Sequence, residues 1–239
     1  MSRERKPDAG PQARQGQVSR GRPPLSRDAV VRAALAIVDR DGLDSFSMRK
    51  LGAELGVDPM AAYYYFPNKA AVLDGIVDAV QSEIAPLSDD NDAPWDVRLR
   101  KTMHAWRRVL RAHPHALPVL STHPPFSESS LRQWEAAAEI LHDVGFTPRE
   151  ALQAIGCISG YVVGVTLAEV GQQPGDLPDP TLEEVAAHIA QLPSNEFPIL
   201  KAAFLGGMPD GPDTSFDDGL DLFIAGLKAR QGKSARGAA

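Results

Sequence analysis

Residues 46–69 constrain the fold more than any other stretch, because they predict two short helices joined by a tight turn. The hydroxyl of Ser47 is placed to cap the first helix, and Gly56 supplies the left-handed residue that ends it. Asp58 is placed to cap the second helix, with Pro59 at its first position, where a missing N–H costs nothing. Two helices joined by a short glycine-containing turn are typical of the helix-turn-helix, whose second helix enters the DNA major groove.

The second of these helices ends in three consecutive tyrosines, Tyr63, Tyr64 and Tyr65. Successive side chains on a helix point in different directions, so three in a row cannot all face one core. At least one hydroxyl is therefore expected to point outward. An ordinary helical hairpin leaves this run unexplained, and we interpret the segment as a DNA-binding element.

Helices with apolar stripes flank this motif on both sides. Ser26 is placed to cap a helix over residues 27–40, which Gly42 closes, and Asn68 is placed to cap a further helix. The apolar residues of the two helices recur at the spacing of one buried face: Val30, Ala33, Ala34, Ile37 and Val38, then Val72, Leu73, Ile76, Val77 and Val80.

Residues 22–80 together resemble the DNA-binding domain of the tetracycline-repressor (TetR) family. The resemblance is carried by residues 34–38, Gly42, Phe46, Leu51, residues 55–57, Tyr63, Phe66, Asn68 and Lys69. It implies an all-α fold with an N-terminal three-helix helix-turn-helix DNA-binding domain at residues 22–84. It also implies a C-terminal helical ligand-binding and dimerisation domain at residues 95–230, and the function of a transcription regulator, most often a repressor.

The resemblance further implies roles within the DNA-binding domain. Arg49 stands on the first turn of the first motif helix, from which a guanidinium can reach a guanine edge. Pro59, Met60 and Ala61 open the recognition helix with apolar side chains suited to a thymine methyl, so the operator of the tetracycline repressor does not carry over. The other predicted contacts with double-stranded operator DNA are Ser47, Lys50, Tyr63, Tyr64, Tyr65 and Lys69. Packing is the alternative role of Tyr65.

The charge of the chain is unevenly distributed. The net charge is −6, yet residues 1–27 hold seven Lys or Arg against two Asp or Glu. Because phosphate contacts dominate affinity for nucleic acid, this local excess matters more than the total. Residues 1–21 are predicted to form a disordered basic arm. Residues 20–24, with Arg20 and Arg22, resemble the core of AT-hook peptides, which lie in a narrow minor groove. The alternative is a solvated basic tail.

Beyond a polar loop at residues 86–94 the pattern remains helical. Helices are predicted over residues 95–111, 127–144, 148–170, 182–191, 196–205 and 215–230. The middle of the 148–170 helix is apolar nearly all round, with Gly156, Gly160 and Gly164 four residues apart. A helix of that kind must be covered on every side.

This region also resembles the C-terminal domain of the TetR family, through residues 95–100, the turn at 141–146 and residues 223–227. In such domains the long helix and the last helix of two subunits form a four-helix bundle, so the resemblance implies a homodimer. The predicted interface residues are Gly156, Gly160, Gly164, Leu220, Phe223, Ile224 and Leu227. Their alternative role is the core of one subunit.

The metal-bound tetracycline pocket of the family does not carry over. Where the family holds the drug-bound metal with His and Glu, this sequence has Leu120 or Ser121, Gly160 and Ala168, and Glu169 is one place off. An apolar or aromatic small-molecule effector is expected instead, between the 95–111 and 148–170 helices. The predicted lining residues are Thr102, Met103, His104, Trp106, Trp134, Cys157 and Tyr161. Core packing is their alternative role.

The rival class is a metal-binding protein or an enzyme that uses the C-terminal cavity. His113, His115 and His123 with Cys157 lack the paired spacing of structural zinc motifs, and neither a nucleophile elbow nor a glycine-rich phosphate loop accompanies them. No metal, cofactor or catalytic residue is therefore predicted. The single cysteine, with no membrane-length apolar stretch or signal segment, predicts a cytoplasmic protein without a membrane partner.

Overall fold

The computed structural model describes residues 25–84, 92–122, 127–170, 181–206 and 211–237. The predicted basic arm, with Arg20 and Arg22, lies outside these residues. Within the described ranges the chain is helical and has no strand, as predicted from the sequence.

Four helices form the N-terminal domain. They are α1 Arg27–Asp41, α2 Met48–Leu55, α3 Pro59–Tyr63 and α4 Lys69–Ser82, with a 3-10 turn at Leu43–Ser45 between α1 and α2. The predicted caps of the two outer helices are confirmed. Ser26 Oγ accepts from the backbone N–H of Ala29 at 3.1 Å, and Asn68 Oδ1 accepts from that of Ala71 at 2.8 Å.

The turn between α2 and α3 is fixed by both caps and close packing. Ser47 caps α2, Gly56 ends it at a φ of 61°, and Asp58 caps α3. Gly52 lies directly against Pro59, because a Cβ at position 52 would stand 2.9 Å from the Pro59 Cα and N atoms. The absence of a side chain at Gly52 therefore sets how closely the two motif helices approach.

Helix α4 packs against α1 along a second close contact. A Cβ at Gly75 would lie 2.8 Å from Cγ2 of Val31 and 3.2 Å from the ring of Phe66. Phe66 and Ile76 are fully buried beside this contact. The N-terminal domain is thus a small apolar core with α2 and α3 on its outside.

Seven helices form the C-terminal domain. They are α5 Trp95–Ala112, α6 Leu117–Thr122, α7 Glu128–His142, α8 Pro148–Val170, α9 Leu182–Gln191, α10 Pro198–Leu205 and α11 Gly211–Gly237. A 3-10 turn at Pro114–Ala116 precedes α6. Helix α6 was not among the helices predicted from the sequence, although its Pro118 lies in the first turn, where proline is tolerated.

Helices α5, α7 and α8 pack against one another, α11 packs on α8, and α4 contacts α7. Leu99 and Leu110 of α5, Leu141 of α7 and Ile158 of α8 are fully buried in the resulting core. This core is continuous with that of the N-terminal domain. The orientation of the helix-turn-helix therefore depends on packing between the domains.

Contrary to the expectation from the sequence, one apolar segment has membrane length: helix α8 could cross a membrane by length and composition, with a mean hydropathy of 1.6 over an 18-residue window. Among the described residues it is the one helix with these properties, and 28% of the window is buried. Its buried side chains, which include Ile155, Ile158 and Val162, face α5 and α7. Helix α8 is therefore a core helix on the face that packs against α5 and α7, and its other face is uncovered.

The packing at Gly52 gives a first prediction. In Gly52→Ala, the added methyl meets the backbone of Pro59, so α2 and α3 must separate, and we expect a loss of about 1–3 kcal/mol in the free energy of unfolding. Urea denaturation followed by circular dichroism measures this loss. Gly226→Ala is the control, because a Cβ there meets no atom within 4 Å. Equal stability of the two variants would contradict the proposed packing role.

Candidate nucleic-acid interface and effector domain

The outward face of α2 and α3 exposes large side chains to solvent. Tyr64 is 85% exposed and Met60 is 70% exposed. Arg49 is exposed on α2 and makes no ion pair with any described residue. The fully buried Ala62 and Phe66 hold the opposite side of α3 on the core. Ala62 and Phe66 are therefore core residues, and they fix the helix that carries the outward side chains.

Tyr65 has the packing role that was its alternative. Its hydroxyl donates to the backbone carbonyl of Leu25 at 2.5 Å, and the Tyr65 carbonyl accepts from Arg27 Nη1 at 3.1 Å. The ring of Tyr65 also lies edge-on to that of Tyr64, with 5.1 Å between their centroids. Tyr65 is thus a support that fixes the start of α1 beside the recognition helix.

Three other predicted DNA contacts have partners within the chain. The hydroxyl of Ser47 is used as the cap of α2. Lys50 Nζ lies 2.9 Å from Asp41 Oδ2, and Lys69 Nζ donates to the backbone carbonyl of Phe46 at 2.9 Å. These bonds orient the loop before α2. Lys50 and Lys69 carry their positive charges on the same domain as Arg49. Because these bonds hold them, their side chains are less free to reach DNA than the sequence suggested.

The predicted effector residues are not brought together around one cavity. Met103 and Trp106 are buried in the core, and Cys157 is exposed on the other side of α8. Tyr161 donates its hydroxyl to the backbone carbonyl of Phe216 at 3.0 Å. His104 Nε2 lies 2.9 Å from an oxygen of Asp217. Met103 and Trp106 therefore have the core-packing role that was their alternative, and an effector contact at Cys157 stays a prediction.

Two predicted effector residues, Thr102 and Trp134, are only partly buried, whereas three predicted interface residues are buried. Thr102 Oγ1 donates to the backbone carbonyl of Arg98 within its own helix, at 2.9 Å. Trp134 is half-buried on α7, and its ring lies 3.9 Å from where a Cβ on Gly156 would stand. Leu220, Ile224 and Leu227 are buried within the chain. The last three are core residues of one subunit, because the single chain already covers them.

The structure reveals a buried ion pair that the sequence analysis missed. The Arg107 guanidinium makes two bonds to Glu169, at 2.6 and 3.2 Å, and their side chains are only 6% and 9% exposed. Asp213 lies 2.8 Å from the same guanidinium, which also stacks over the ring of Phe216 at 4.4 Å. Burial opposes the charge on Arg107, but these carboxylates outweigh it and raise the pKa of the side chain.

This ion pair belongs to a charged seam between α5 and α11. Asp213, Asp217 and Asp221 occur every four residues along α11 and so lie on one face. They meet the basic face of α5, where Arg100 pairs with both Asp217 and Asp221, and Arg111 lies 3.2 Å from Asp213. The regular spacing of the three aspartates was the sequence signal for this contact.

The described residues also contain one open groove of about 530 Å³ between α1 and α4, away from the predicted effector cavity. It is lined mainly by charged and small side chains: Arg27, Asp28, Val31, Arg32, Leu35, Gly75, Asp78, Ala79, Ser82 and Glu83. Among the residues that the structure describes, no group of three His, Cys, Asp or Glu side chains could hold a metal ion.

A rigidly held, outward-facing recognition helix on an all-helical core defines a helix-turn-helix DNA-binding protein. The sequence agrees with this class. Residues 30–76 match the family model of bacterial regulatory proteins of the tetR family, and residues 86–231 match the tetracyclin repressor-like C-terminal domain.

Known proteins of this kind resemble the chain over most of its length. The HTH-type transcriptional repressor DrrR1 of Streptomyces coeruleorubidus is 34% identical, over 91% of this chain and 84% of that protein. The class A tetracycline repressor of Escherichia coli is 30% identical, over 87% and 92%. Apo ActR from Streptomyces coelicolor has the same fold, with a TM-score of 0.80, 24% identity and coverage of 90% and 100%. ActR in complex with actinorhodin gives 0.79, with 26% identity and coverage of 87% and 99%.

The chain therefore belongs to the TetR family of bacterial regulatory proteins. It is a DNA-binding transcription regulator and not an enzyme, which confirms the class predicted from the sequence.

The buried ion pair gives a second prediction. Arg107→Met leaves Glu169 buried without its partner, so we expect a loss of about 3–5 kcal/mol in the free energy of unfolding. The double variant Arg107→Met with Glu169→Met should recover much of this loss, since neither charge remains. Urea denaturation at one protein concentration measures all three.

The exposed pair Arg132–Glu128 on α7 is the matched control, with side chains 76% and 82% exposed. Arg132→Met is expected to change the free energy of unfolding by less than about 1 kcal/mol. A similar loss of unfolding free energy in Arg107→Met and Arg132→Met would show that Arg107 and Glu169 do not behave as a buried ion pair.

Proposed function

We propose that this protein is a homodimeric repressor that binds a near-palindromic operator through two recognition helices and releases it when a small-molecule effector binds. The observation that carries the proposal is the outward face of α2 and α3, on which Arg49, Met60 and Tyr64 stand exposed over a buried core. Membership of the family supports the same function.

The proposed contacts with DNA follow from the chemistry of these side chains. Arg49 donates to a guanine edge, and Met60 with Ala61 packs against a thymine methyl. The hydroxyls of Tyr63 and Tyr64 meet phosphates, which position the helix without selecting a sequence. Arg20 and Arg22 of the arm add charge near the duplex, in the minor groove or as a solvated tail.

The uncovered faces of α8 and α11 support the homodimer. On α8 the exposed positions Cys157, Gly160, Gly164 and Leu167 recur at intervals of three and four residues, and a Cβ at either glycine meets no atom within 4 Å. On α11, Leu222 is 76% exposed. We propose that these faces, with Gly156 and Phe223 at their edges, form a four-helix bundle with a second subunit. Leu167 and Leu222 were absent from the sequence-based set.

A partner subunit also explains the apolar surface of α8 better than a lipid bilayer does. Family members are DNA-binding regulators, and α8 lies inside the domain that follows the helix-turn-helix. A bundle seam of small residues lets two helices approach closely. We accordingly propose a cytoplasmic protein in which this face is covered by a second copy.

We place the effector in the C-terminal domain, near α5, α7 and α8. The complex of ActR with actinorhodin supports a small-molecule site in a domain of this fold. Trp134 and Thr102, which are only partly buried, are the proposed contacts. Release then follows by linkage. An effector that binds more tightly to a subunit arrangement with misplaced recognition helices lowers operator affinity, at most by the ratio of its affinities for the two arrangements.

The metal-binding or enzymatic alternative is not favoured. His113 and His115, which were considered as zinc ligands, both contact Asp39. His113 contacts a carboxylate oxygen of Asp39, and His115 contacts its backbone carbonyl. Family membership places the chain among regulators. The domain boundaries at residues 1–21, 22–84 and 95–230 remain part of this proposal.

Operator binding gives the third prediction. The operator is first selected from genomic fragments by the purified protein. Arg49→Ala should then weaken binding by about 1–3 kcal/mol and flatten the preference at one base pair. Fluorescence anisotropy on a panel of single-base operator variants measures both effects.

Arg132→Ala on α7 is the control for the loss of one positive charge, and it should bind as the unaltered protein does. An unchanged preference profile in Arg49→Ala would assign Arg49 to phosphate contact. Failure of the unaltered protein to select any sequence would contradict the repressor function.

The dimer gives the fourth prediction. Because Gly160 faces open space in the single chain, Gly160→Leu should leave the subunit folded but force a large side chain into the bundle seam. Sedimentation should detect a folded monomer at a concentration where the unaltered protein is dimeric. Glu135→Leu, which adds a leucine to the exposed face of α7, should remain dimeric. A dimeric Gly160→Leu with unaltered stability would contradict the proposed seam.

A further inference from the structure

The junction between the two domains contains a histidine held between two carboxylates. His113 precedes the 3-10 turn at Pro114–Ala116, and its side chain is 12% exposed. Nδ1 lies 2.9 Å from Asp39 Oδ2, near the end of α1. Nε2 lies 3.0 Å from Glu83 Oε2, at the C-cap of α4. One ring of the C-terminal domain therefore contacts both outer helices of the N-terminal domain.

The chemistry of this contact requires two N–H donors. An ionised carboxylate only accepts hydrogen bonds, and a neutral imidazole has a single N–H. A neutral ring would point one unprotonated nitrogen at a carboxylate oxygen, so only the imidazolium satisfies both sides. Burial disfavours the charge, but the bonds to Glu83 and Asp39 outweigh it and raise the pKa of His113 above its ordinary value.

The carboxylate of Asp39 depends on His113 for its ion pair, because the neighbouring basic groups bind elsewhere. Its Oδ1 atom is buried and has no hydrogen-bond partner among the described residues. His115 Nδ1 lies 2.8 Å from the Asp39 backbone carbonyl and not from its carboxylate. Arg40, next to Asp39 on α1, is bound to Asp41 and Glu54.

The other charged groups near the junction lie on the Glu83 side. Arg32 of α1 and Asp78 of α4 line the same groove as Glu83. Asp78 accepts from the hydroxyl of Ser130 on α7 at 3.1 Å. In the part of the chain that the structure describes, His113 is the group that bridges Asp39 and Glu83. Loss of its proton therefore leaves two carboxylates facing one another across a neutral ring.

We propose that His113 is a positioning residue for operator binding, whose imidazolium bridges α1 and α4 to the C-terminal domain and whose deprotonation weakens binding. The inference rests on the proposed repressor function. A fixed orientation of each DNA-binding domain sets the spacing of the two recognition helices. Because the helices are then already in place, less conformational entropy is lost when the operator binds.

The direction of the pH effect follows from the raised pKa. The stabilising contribution of the bridge is fully present below about pH 6.5, the ordinary pKa of histidine. It is lost as the pH rises through the higher pKa of the folded protein. Operator affinity is therefore expected to fall on the alkaline side, by at most about tenfold per pH unit for one proton.

The test measures operator affinity of the full chain from about pH 5.5 to 9, around the ordinary histidine pKa, at constant ionic strength. His113→Gln should bind more weakly at low pH and lose most of the pH dependence. His188→Gln is the matched control, because His188 is exposed on α9, and it should keep the profile of the unaltered protein. Circular dichroism at each pH establishes that the variants are folded.

His113→Arg separates charge from shape, since arginine keeps its charge throughout this range. It should bind more tightly than His113→Gln above the folded pKa of His113, with little pH dependence. The inference is overturned if His113→Gln retains the full pH dependence, or if affinity rises with pH. Absence of sequence-specific binding by the unaltered protein at every pH would instead overturn the repressor function, and the inference with it.

Discussion

The close packing of α4 against α1 is the contact on which the rest of the molecule depends. It requires Gly75, because any side chain there would collide with Val31 and Phe66. With α4 in place, Phe66 anchors the end of the recognition helix, and the other side of α4 contacts α7. One glycine contact thus connects the helix-turn-helix to the C-terminal domain.

Two kinds of interaction hold the domains together, and they differ in how they respond to solution conditions. The apolar core that runs through both domains changes little with pH or salt. The bridge through His113 is electrostatic and only partly shielded from solvent, so it responds to protonation. The two domains are thus joined by an apolar core and, at their junction, by a contact that protonation can alter.

Local structure in this chain was predictable from sequence, because its determinants lie within a few residues of each other. The caps Ser26, Ser47, Asp58 and Asn68 and the left-handed Gly56 were all found at their predicted positions. Contacts between distant residues were not predictable. Arg107 and Glu169 are 62 positions apart, and only the packing of α5 on α8 brings them together.

Burial was the other quantity that periodicity could not settle. Leu220, Ile224 and Leu227 form an apolar stripe that fits a dimer seam and a core equally well, and the single chain buries it. The uncovered positions, such as Leu222 and Gly160, sit on other faces of α11 and α8. A hydrophobic pattern identifies a face that must be covered, whereas the choice between covering it within the chain or with a partner depends on the fold.

The bonds between Tyr65 and the start of α1 have a consequence for how the recognition helix moves. The Tyr65 hydroxyl donates to the Leu25 carbonyl, and the Tyr65 carbonyl accepts from Arg27 Nη1. Leu25 and Tyr65 are 40 positions apart, so these bonds join two segments that only the fold brings together. A tilt of the first turn of α1 is therefore passed directly to the end of the recognition helix, without travelling through the apolar core.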